Sequence, residues 1–167
     1  IRVIPEVLNG AVLTCCEGVK CIEDNLPILF NDCDHAFICN SFYEFCKKGD
    51  FSDIDGALLT FISDSPNYSY VKFDDAGNVN GTIEKVVASD EAICGAYYFR
   101  NRKIFEGAVN TYLEKCAYKE FFVSGVYNEM AENKEKISTF KIDEHISFGT
   151  PEEYTVAIKD ERLGRLL

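Results

Sequence analysis

The sequence predicts an α/β fold: a mixed, mostly parallel sheet flanked by helices, with one β-hairpin inserted. Three observations carry this. Short apolar runs alternate along the chain with segments whose apolar residues recur at helical spacing. The runs end in clusters of Asn, Asp and Gly, the residues that punctuate secondary structure. One pair of strand-like runs is joined by the turn cluster Asp74-Asp75-Ala76-Gly77-Asn78 rather than by a helix.

Ile1 to Ile4 reads as the end of a strand. Between Ala11 and Ile22, Val12, Cys15, Cys16, Val19 and Ile22 mark one helical face, closed by Asn25 and Pro27. Pro27 to Phe30 is short, continuous and apolar, the pattern of a buried strand. A helix is expected over Phe37 to Lys47, and a second buried strand over Ala57 to Ile62, after Asp55-Gly56. Asp64-Ser65-Pro66-Asn67 is a loop, and the hairpin follows it, with Gly77 free to adopt positive φ. Ile93 to Phe99 is a further strand. Ile104, Phe105, Ala108, Val109, Tyr112 and Leu113 repeat with helical period, and a second helix spans about Glu120 to Ala131. After a strand at Ile137 to Ile142, Pro151 suits the first turn of a last helix with Thr150 as its N-cap. Glu152 and Glu153 complement that helix's dipole.

The chain has 167 residues and shows no repeat, linker or low-complexity tract, so residues 1–167 are read as one domain. A formal charge of -11 disfavours nucleic acid and anionic lipid as partners. No apolar run approaches the roughly 18 residues of a membrane span. The first residue is Ile1 and the only Met is Met130, which reads as a processed form or a fragment. No pair of the eight cysteines has C-x-x-C spacing, and most sit within apolar periodic segments. Reduced thiols in a cytoplasmic protein are the expectation, rather than disulfides or zinc.

Candidate chemistry collects at strand ends, where open α/β sheets bind ligands. The strand at Pro27 runs into Asn31-Asp32-Cys33-Asp34-His35. Two carboxylates one residue apart can share Mg²⁺ or Mn²⁺, which prefer oxygen ligands. The same residues also suit a turn after a strand, and both readings stay open on this stretch alone. His35 reads as a local hydrogen-bonding residue, and with His145 it makes no zinc set. The second signal is Glu84-Lys85 at the end of the hairpin, followed by Ile93-Cys94-Gly95-Ala96-Tyr97-Tyr98-Phe99. A Gly within a strand marks a bulge or the close approach of a ligand or another backbone. The third is Ser147-Phe148-Gly149-Thr150-Pro151-Glu152-Glu153-Tyr154, part of which helix capping explains.

Taken in order, these segments resemble the sugar-phosphate nucleotidyltransferases, from about Gly10 to Tyr154. The matching pieces are Gly-Ala-x-x-Thr at Gly10 to Thr14, the apolar strand into Asn31-Asp32-Cys33-Asp34, and the hairpin ending in Glu84-Lys85. The Gly-x-Tyr-x-Phe strand from Gly95 and Gly149-Thr150-Pro151-Glu152-Glu153 complete the set.

The resemblance implies a Rossmann-like, glycosyltransferase-A-type sheet. It implies a reaction in which NTP and a sugar 1-phosphate give an NDP-sugar and pyrophosphate, in synthesis of a bacterial surface or capsular polysaccharide. It implies Mg²⁺ (or Mn²⁺) as cofactor. Asp34 matches the metal-binding Asp, with Asp32 beside it. Lys85 matches the Lys that grips the sugar phosphate, and Glu84 the residue that binds sugar hydroxyls. Gly95 and Tyr97 would line the sugar pocket, and Gly10 would let the base approach the backbone.

The chain also departs from the family pattern. The Gly-rich phosphate loop would precede Ile1, so the chain reads as the C-terminal part of such a domain, and residues 1–167 alone are expected not to turn over NTP. Ser147 stands where many members carry a second metal-binding Asp, and no base-reading Gln precedes Gly10. The missing first strand would lie beside Pro27 to Phe30, leaving an open sheet edge through which two copies could pair. Two alternatives remain. One is a glycosyltransferase using an NDP-sugar donor through Asp32-Cys33-Asp34. The other is a non-catalytic domain that binds a sugar phosphate.

Overall fold

The structure is a computed structural model, and it describes residues 3–166. Along the chain run α1 (Ala11–Val19), β1 (Ile28–Asn31), β2 (His35–Ile38), α2 (Asn40–Lys48), β3 (Gly56–Ile62), β4 (Ser69–Phe73), β5 (Val79–Glu84) and β6 (Glu91–Phe99). They are followed by α3 (Arg102–Lys115), α4 (Val123–Glu132), β7 (Ile137–Lys141), β8 (Glu144–Ser147), α5 (Pro151–Ala157) and α6 (Leu163–Leu166).

The α/β class, the flanking helices and the inserted hairpin are all present, but the strand directions differ from the expectation. The main sheet has the order β5-β4-β6-β3-β7, with β1 also paired to β6. Among the described residues only β3 and β7 pair in parallel; the other ladders are antiparallel. The sheet is therefore mostly antiparallel. β1, β3 and β7 do share one direction, but β6 runs the opposite way between β1 and β3 and so turns both of its ladders antiparallel. Apolar periodicity reports which faces are buried and carries no sign for direction.

Burial on both faces explains why β3 and β6 read as continuous apolar runs. On one face Leu58, Ile93, Tyr97 and Phe99 pack with Val12 and Val19 of α1, Phe105 and Val109 of α3, and Val126, Tyr127 and Met130 of α4. On the other face Ala57, Leu59, Cys94, Ala96 and Tyr98 meet Phe42 of α2 and Ile142. Each fully buried Leu, Val or Phe contributes roughly 1.5–3 kcal/mol. The Tyr127 hydroxyl lies 2.9 Å from the Ala57 carbonyl and 2.7 Å from that of Tyr98, so even this buried polar atom ties α4 to the central strands.

Three local readings are corrected. β1 is not a buried strand: Ile28 is buried but Leu29 is 44% exposed, and among the described residues β1 has a strand neighbour on one side only. The helix expected from Phe37 begins at Asn40, because His35–Ile38 pairs with Glu144–Ser147 as a separate two-stranded ribbon. Both strands are four residues long, too short for a period to show, and their pairing depends on residues about 110 positions apart. Val3 and Ile4 form no strand, and Ile1 and Arg2 lie outside the described residues.

The hairpin and the last helix follow their local chemistry. Gly77 takes φ 81°, and Asp74 Oδ1 accepts the N–H groups of Ala76 and Asn78, closing the turn. Thr150 and Glu153 form a reciprocal capping box with Pro151 in the first turn of α5. Among the described residues no helix is long and apolar enough to cross a membrane.

Candidate functional site

The site lies where β1 and β6 part. The N–H of Asp32 donates to the Gly95 carbonyl at 2.9 Å, the last rung between the two strands. At this point β6 slips against β3: Leu58 faces Tyr97, yet Thr60 faces Ile93. Gly95 fills the irregularity with φ 93°, a conformation that L side chains rarely adopt. A Cβ there would stand 2.6 Å from Asp32 Oδ2. The missing side chain is thus the space that the Asp32 carboxylate uses.

Asp34 is placed in the same way by a different glycine. Its carbonyl accepts the Phe148 N–H at 2.9 Å, which anchors it to the end of the β2–β8 ribbon. A Cβ on Gly149 would stand 2.6 Å from Asp34 Oδ2. The ribbon that the sequence did not reveal is what carries Asp34 to the site.

Glu84 arrives from the hairpin. Its Oε2 accepts hydrogen bonds from Ser69 Oγ and, at 3.1 Å, from Ser124 Oγ. Ser124 is fully buried in the first turn of α4. The helix is docked on β5 by further bonds: Thr82 Oγ1 donates to the Ser124 carbonyl at 2.7 Å, and the Thr82 N–H donates to Asn128 Oδ1 at 2.9 Å.

These residues surround a cleft of about 560 Å³. Asp32, Asp34, Glu84 and Glu153 contribute carboxylates to its wall, Tyr68, Tyr97 and Phe122 contribute aromatic faces, and among the described residues no Lys or Arg lines it. Burial and concentrated negative charge both act on Asp32. Asp32 is open to the cleft, but its carboxyl sits in a concave surface. Burial first, then repulsion from Asp34 and Glu84, push its pKa up to about 6. Burial also raises the Tyr97 hydroxyl far above its ordinary value, so it stays protonated as a hydrogen-bonding group. His35 Nδ1 and His145 Nε2 lie 3.3 Å apart, and burial lowers the pKa of both rings. Two neutral imidazoles sharing a hydrogen bond fit the local role read for His35.

Five of the residues singled out in the sequence, Asp32, Asp34, Glu84, Gly95 and Tyr97, line this one cleft. Lys85 does not line it. It is exposed, takes φ 55° as the chain leaves β5, and holds its Nζ 5.8 Å above the ring of Phe122, a wall residue. Gly10 precedes α1 with φ 103°, and the backbone that crowds it is that of Phe121. The Phe121 N–H donates to the Asn9 carbonyl at 3.3 Å and its carbonyl accepts from Val12 at 3.2 Å, so Gly10 allows two chain segments to touch. Its neighbour Ala11 is the residue that reaches the cleft. Ser147 lines the wall as well.

Sequence reasoning missed Tyr68, Ser69, Phe122 and Ser124 as wall or support residues, and gave Glu153, within the third signal, a dipole role and no role at the site. None of them carries a spacing signal; each depends on tertiary placement.

Among the described residues, no group of three or more His, Cys, Asp and Glu side chains converges as a metal cage. Asp32 and Asp34 are the pair that could hold a hard cation, in the manner of Mg²⁺, which takes one or two carboxylates and fills its remaining positions with water and phosphate oxygens. All eight cysteines are free thiols, and Cys33, between the two aspartates, is exposed.

No protein-family model matches the sequence, and no curated protein matches it. Solved structures do. A nucleoside-diphosphate-sugar pyrophosphorylase from Vibrio cholerae RC9 superimposes with TM-score 0.79 at 22% identity, over 94% of this chain and 68% of that one. A protein described as a glucose-1-phosphate thymidylyltransferase from Bacillus anthracis, in complex with sucrose, superimposes with TM-score 0.67 at 12% identity, over 91% of this chain. The chain spans 61% of that second structure's length. The fold of this chain is that of the sugar-phosphate nucleotidyltransferases.

Proposed function

We propose that the cleft is the sugar-phosphate side of a nucleotidyltransferase site, which joins NTP and a sugar 1-phosphate to make an NDP-sugar and pyrophosphate. The observation that carries this reading is the convergence of Asp32 and Asp34 with Glu84, from two separate parts of the chain, on one cleft of a nucleotidyltransferase fold. In the reaction, a phosphate oxygen of the sugar 1-phosphate forms a bond to the α-phosphorus of NTP. The bond to the bridging oxygen breaks, and the electron pair leaves with pyrophosphate.

Asp34, with Asp32 beside it, would hold Mg²⁺ (or Mn²⁺). The bound cation supplies charge neutralisation for the phosphates. The fit rests on the wall itself: among the described residues it presents carboxylates and no Lys or Arg, and repulsion from Asp34 and Glu84, which adds to burial in raising the Asp32 pKa, is what a cation relieves. Glu84 offers Oε1 to a sugar hydroxyl, and Gly95 and Tyr97 shape the sugar pocket. Lys85 stands at the rim over Phe122 and reaches in to the sugar phosphate. The resemblance read from the sequence supports a place in surface-polysaccharide synthesis, and the free thiols support a cytoplasmic location.

Pyrophosphate release from a panel of NTPs and sugar 1-phosphates tests the reaction. Lys85→Ala is expected to raise KM for the sugar phosphate roughly tenfold while KM for NTP stays within about twofold. Lost NTP binding with unchanged sugar-phosphate binding would reverse the assignment of Lys85. A glycosyltransferase using an NDP-sugar donor is the second reading, favoured by the presence of both Asp32 and Asp34 in one cleft. Glycosyl transfer without pyrophosphate release would select it.

We further propose that two copies pair through β1. Leu29 is 44% exposed on a strand that has one neighbour among the described residues, and such an edge is a template for another strand. Sedimentation at micromolar concentration is expected to show a dimer that Leu29→Lys converts to monomer; a monomeric parent excludes the pairing.

A further inference from the structure

We infer that Ser69 and Ser124 are positioning residues for Glu84: they decide which of its oxygens meets the ligand, and so make the cleft selective for a sugar with a hydroxyl at that place. This rests on the nucleotidyltransferase reading of the cleft. Glu84 is the last residue of β5, and the chain turns away directly after it through the left-handed Lys85. A glutamate at such a point has a flexible side chain and no neighbour on its own strand to hold it. Two hydroxyls from different elements hold it instead. Ser69 lies opposite Glu84 in the β4–β5 register, and Ser124 comes from the first turn of α4. Both donate to Oε2, and among the described residues no protein donor reaches Oε1.

The consequence is an acceptor of fixed position. The N-terminal end of α4, where Ser124 sits, adds the positive end of the helix dipole. Oε1 is left to accept one O–H from the ligand. A site built around such a bond rejects an analogue that lacks the hydroxyl far more strongly than an apolar pocket rejects a change of size.

The serine hydroxyls are not needed to dock α4 on the sheet. Thr82 Oγ1 donates to the backbone carbonyl of Ser124, not to its side chain, and Asn128 accepts the Thr82 N–H. Removing the Ser124 hydroxyl therefore leaves that frame intact and frees Glu84 alone.

The test measures calorimetric Kd values of the full chain, with Mn²⁺ present, for a sugar 1-phosphate and its monodeoxy analogues. Where the parent binds, one analogue is expected to bind about 100-fold more weakly than the full sugar. Ser69→Ala/Ser124→Ala is expected to lose about tenfold for the full sugar, to let that discrimination fall to within about threefold, and to leave Tm nearly unchanged. Ser69→Thr, which keeps a hydroxyl, should retain the parent's selectivity. A double variant that keeps the parent's discrimination overturns the inference and leaves the nucleotidyltransferase reading standing. Should the double variant fail to fold, Glu84→Gln decides: loss of discrimination supports the inference and retained discrimination overturns it. A parent that binds no sugar 1-phosphate overturns the nucleotidyltransferase reading together with this one.

Discussion

Asp34→Asn is expected to weaken Mn²⁺ binding and, where the parent turns over, to lower metal-dependent turnover by at least about 100-fold. The amide keeps the size of the side chain and its place beside Gly149, so the loss isolates charge. Asp32→Asn should cost less in turnover and have the opposite effect on the metal-free fold. In the folded chain the Asp32 pKa stands at about 6, above its ordinary value of 3.8. Between those values the folded state keeps a proton that the unfolded chain has released. Stability therefore falls as pH rises through this window, and the penalty is complete above it. Asp32→Asn removes the penalty. With chelator present it should gain about 1 kcal/mol at pH 7.5, after discounting for the screening of an exposed group, and almost nothing at pH 3.5. Equilibrium urea unfolding at the two pH values measures this, and equal gains at both would refute the electrostatic account. Metal-dependent activity of Asp34→Asn within a few-fold of the parent would remove Asp34 from the site.

Gly95→Ala is expected to be the most damaging single methyl group near the cleft. Two costs add. The φ of 93° is strained for any residue with a Cβ, at about 1–3 kcal/mol. The new Cβ would also stand 2.6 Å from Asp32 Oδ2, so the carboxylate must move or the β1–β6 rung must open. A loss of about 3 kcal/mol and a Tm lower by about 10 °C are expected, with weaker Mn²⁺ binding because Asp32 is displaced. Gly149→Ala is the control. Its Cβ would meet Asp34 Oδ2 at the same 2.6 Å, but Gly149 is not among the glycines of positive φ. It should weaken metal binding with a smaller loss of stability. Equal Tm values for Gly95→Ala and the parent would mean that Asp32 swings away without cost.

The legibility of this chain divides by the range of the interactions involved. Turn and cap chemistry was readable because it acts within a few residues: Gly77 closes the hairpin and Thr150 caps α5 as their local sequences require. The candidate carboxylates were readable because Asp32, Asp34 and Glu84 sit directly at strand ends, where a ligand-binding role leaves a local trace. Lys85 was readable as a neighbour of Glu84 but not as a rim residue, because its direction is set by φ 55° and by Phe122.

By itself the sequence determined the α/β class and the order of most elements. Both follow from short-range periodicity and residue type. The tertiary structure alone decided that β6 runs antiparallel between β1 and β3, because the direction of a ladder is set by which strands meet and leaves no imprint on apolar spacing. It alone paired His35–Ile38 with Glu144–Ser147 and thereby carried Asp34 against Gly149. It also brought Ser124 of α4 onto Glu84 of β5. These contacts join residues far apart in the chain, and their energy is gained only after the intervening segments have folded.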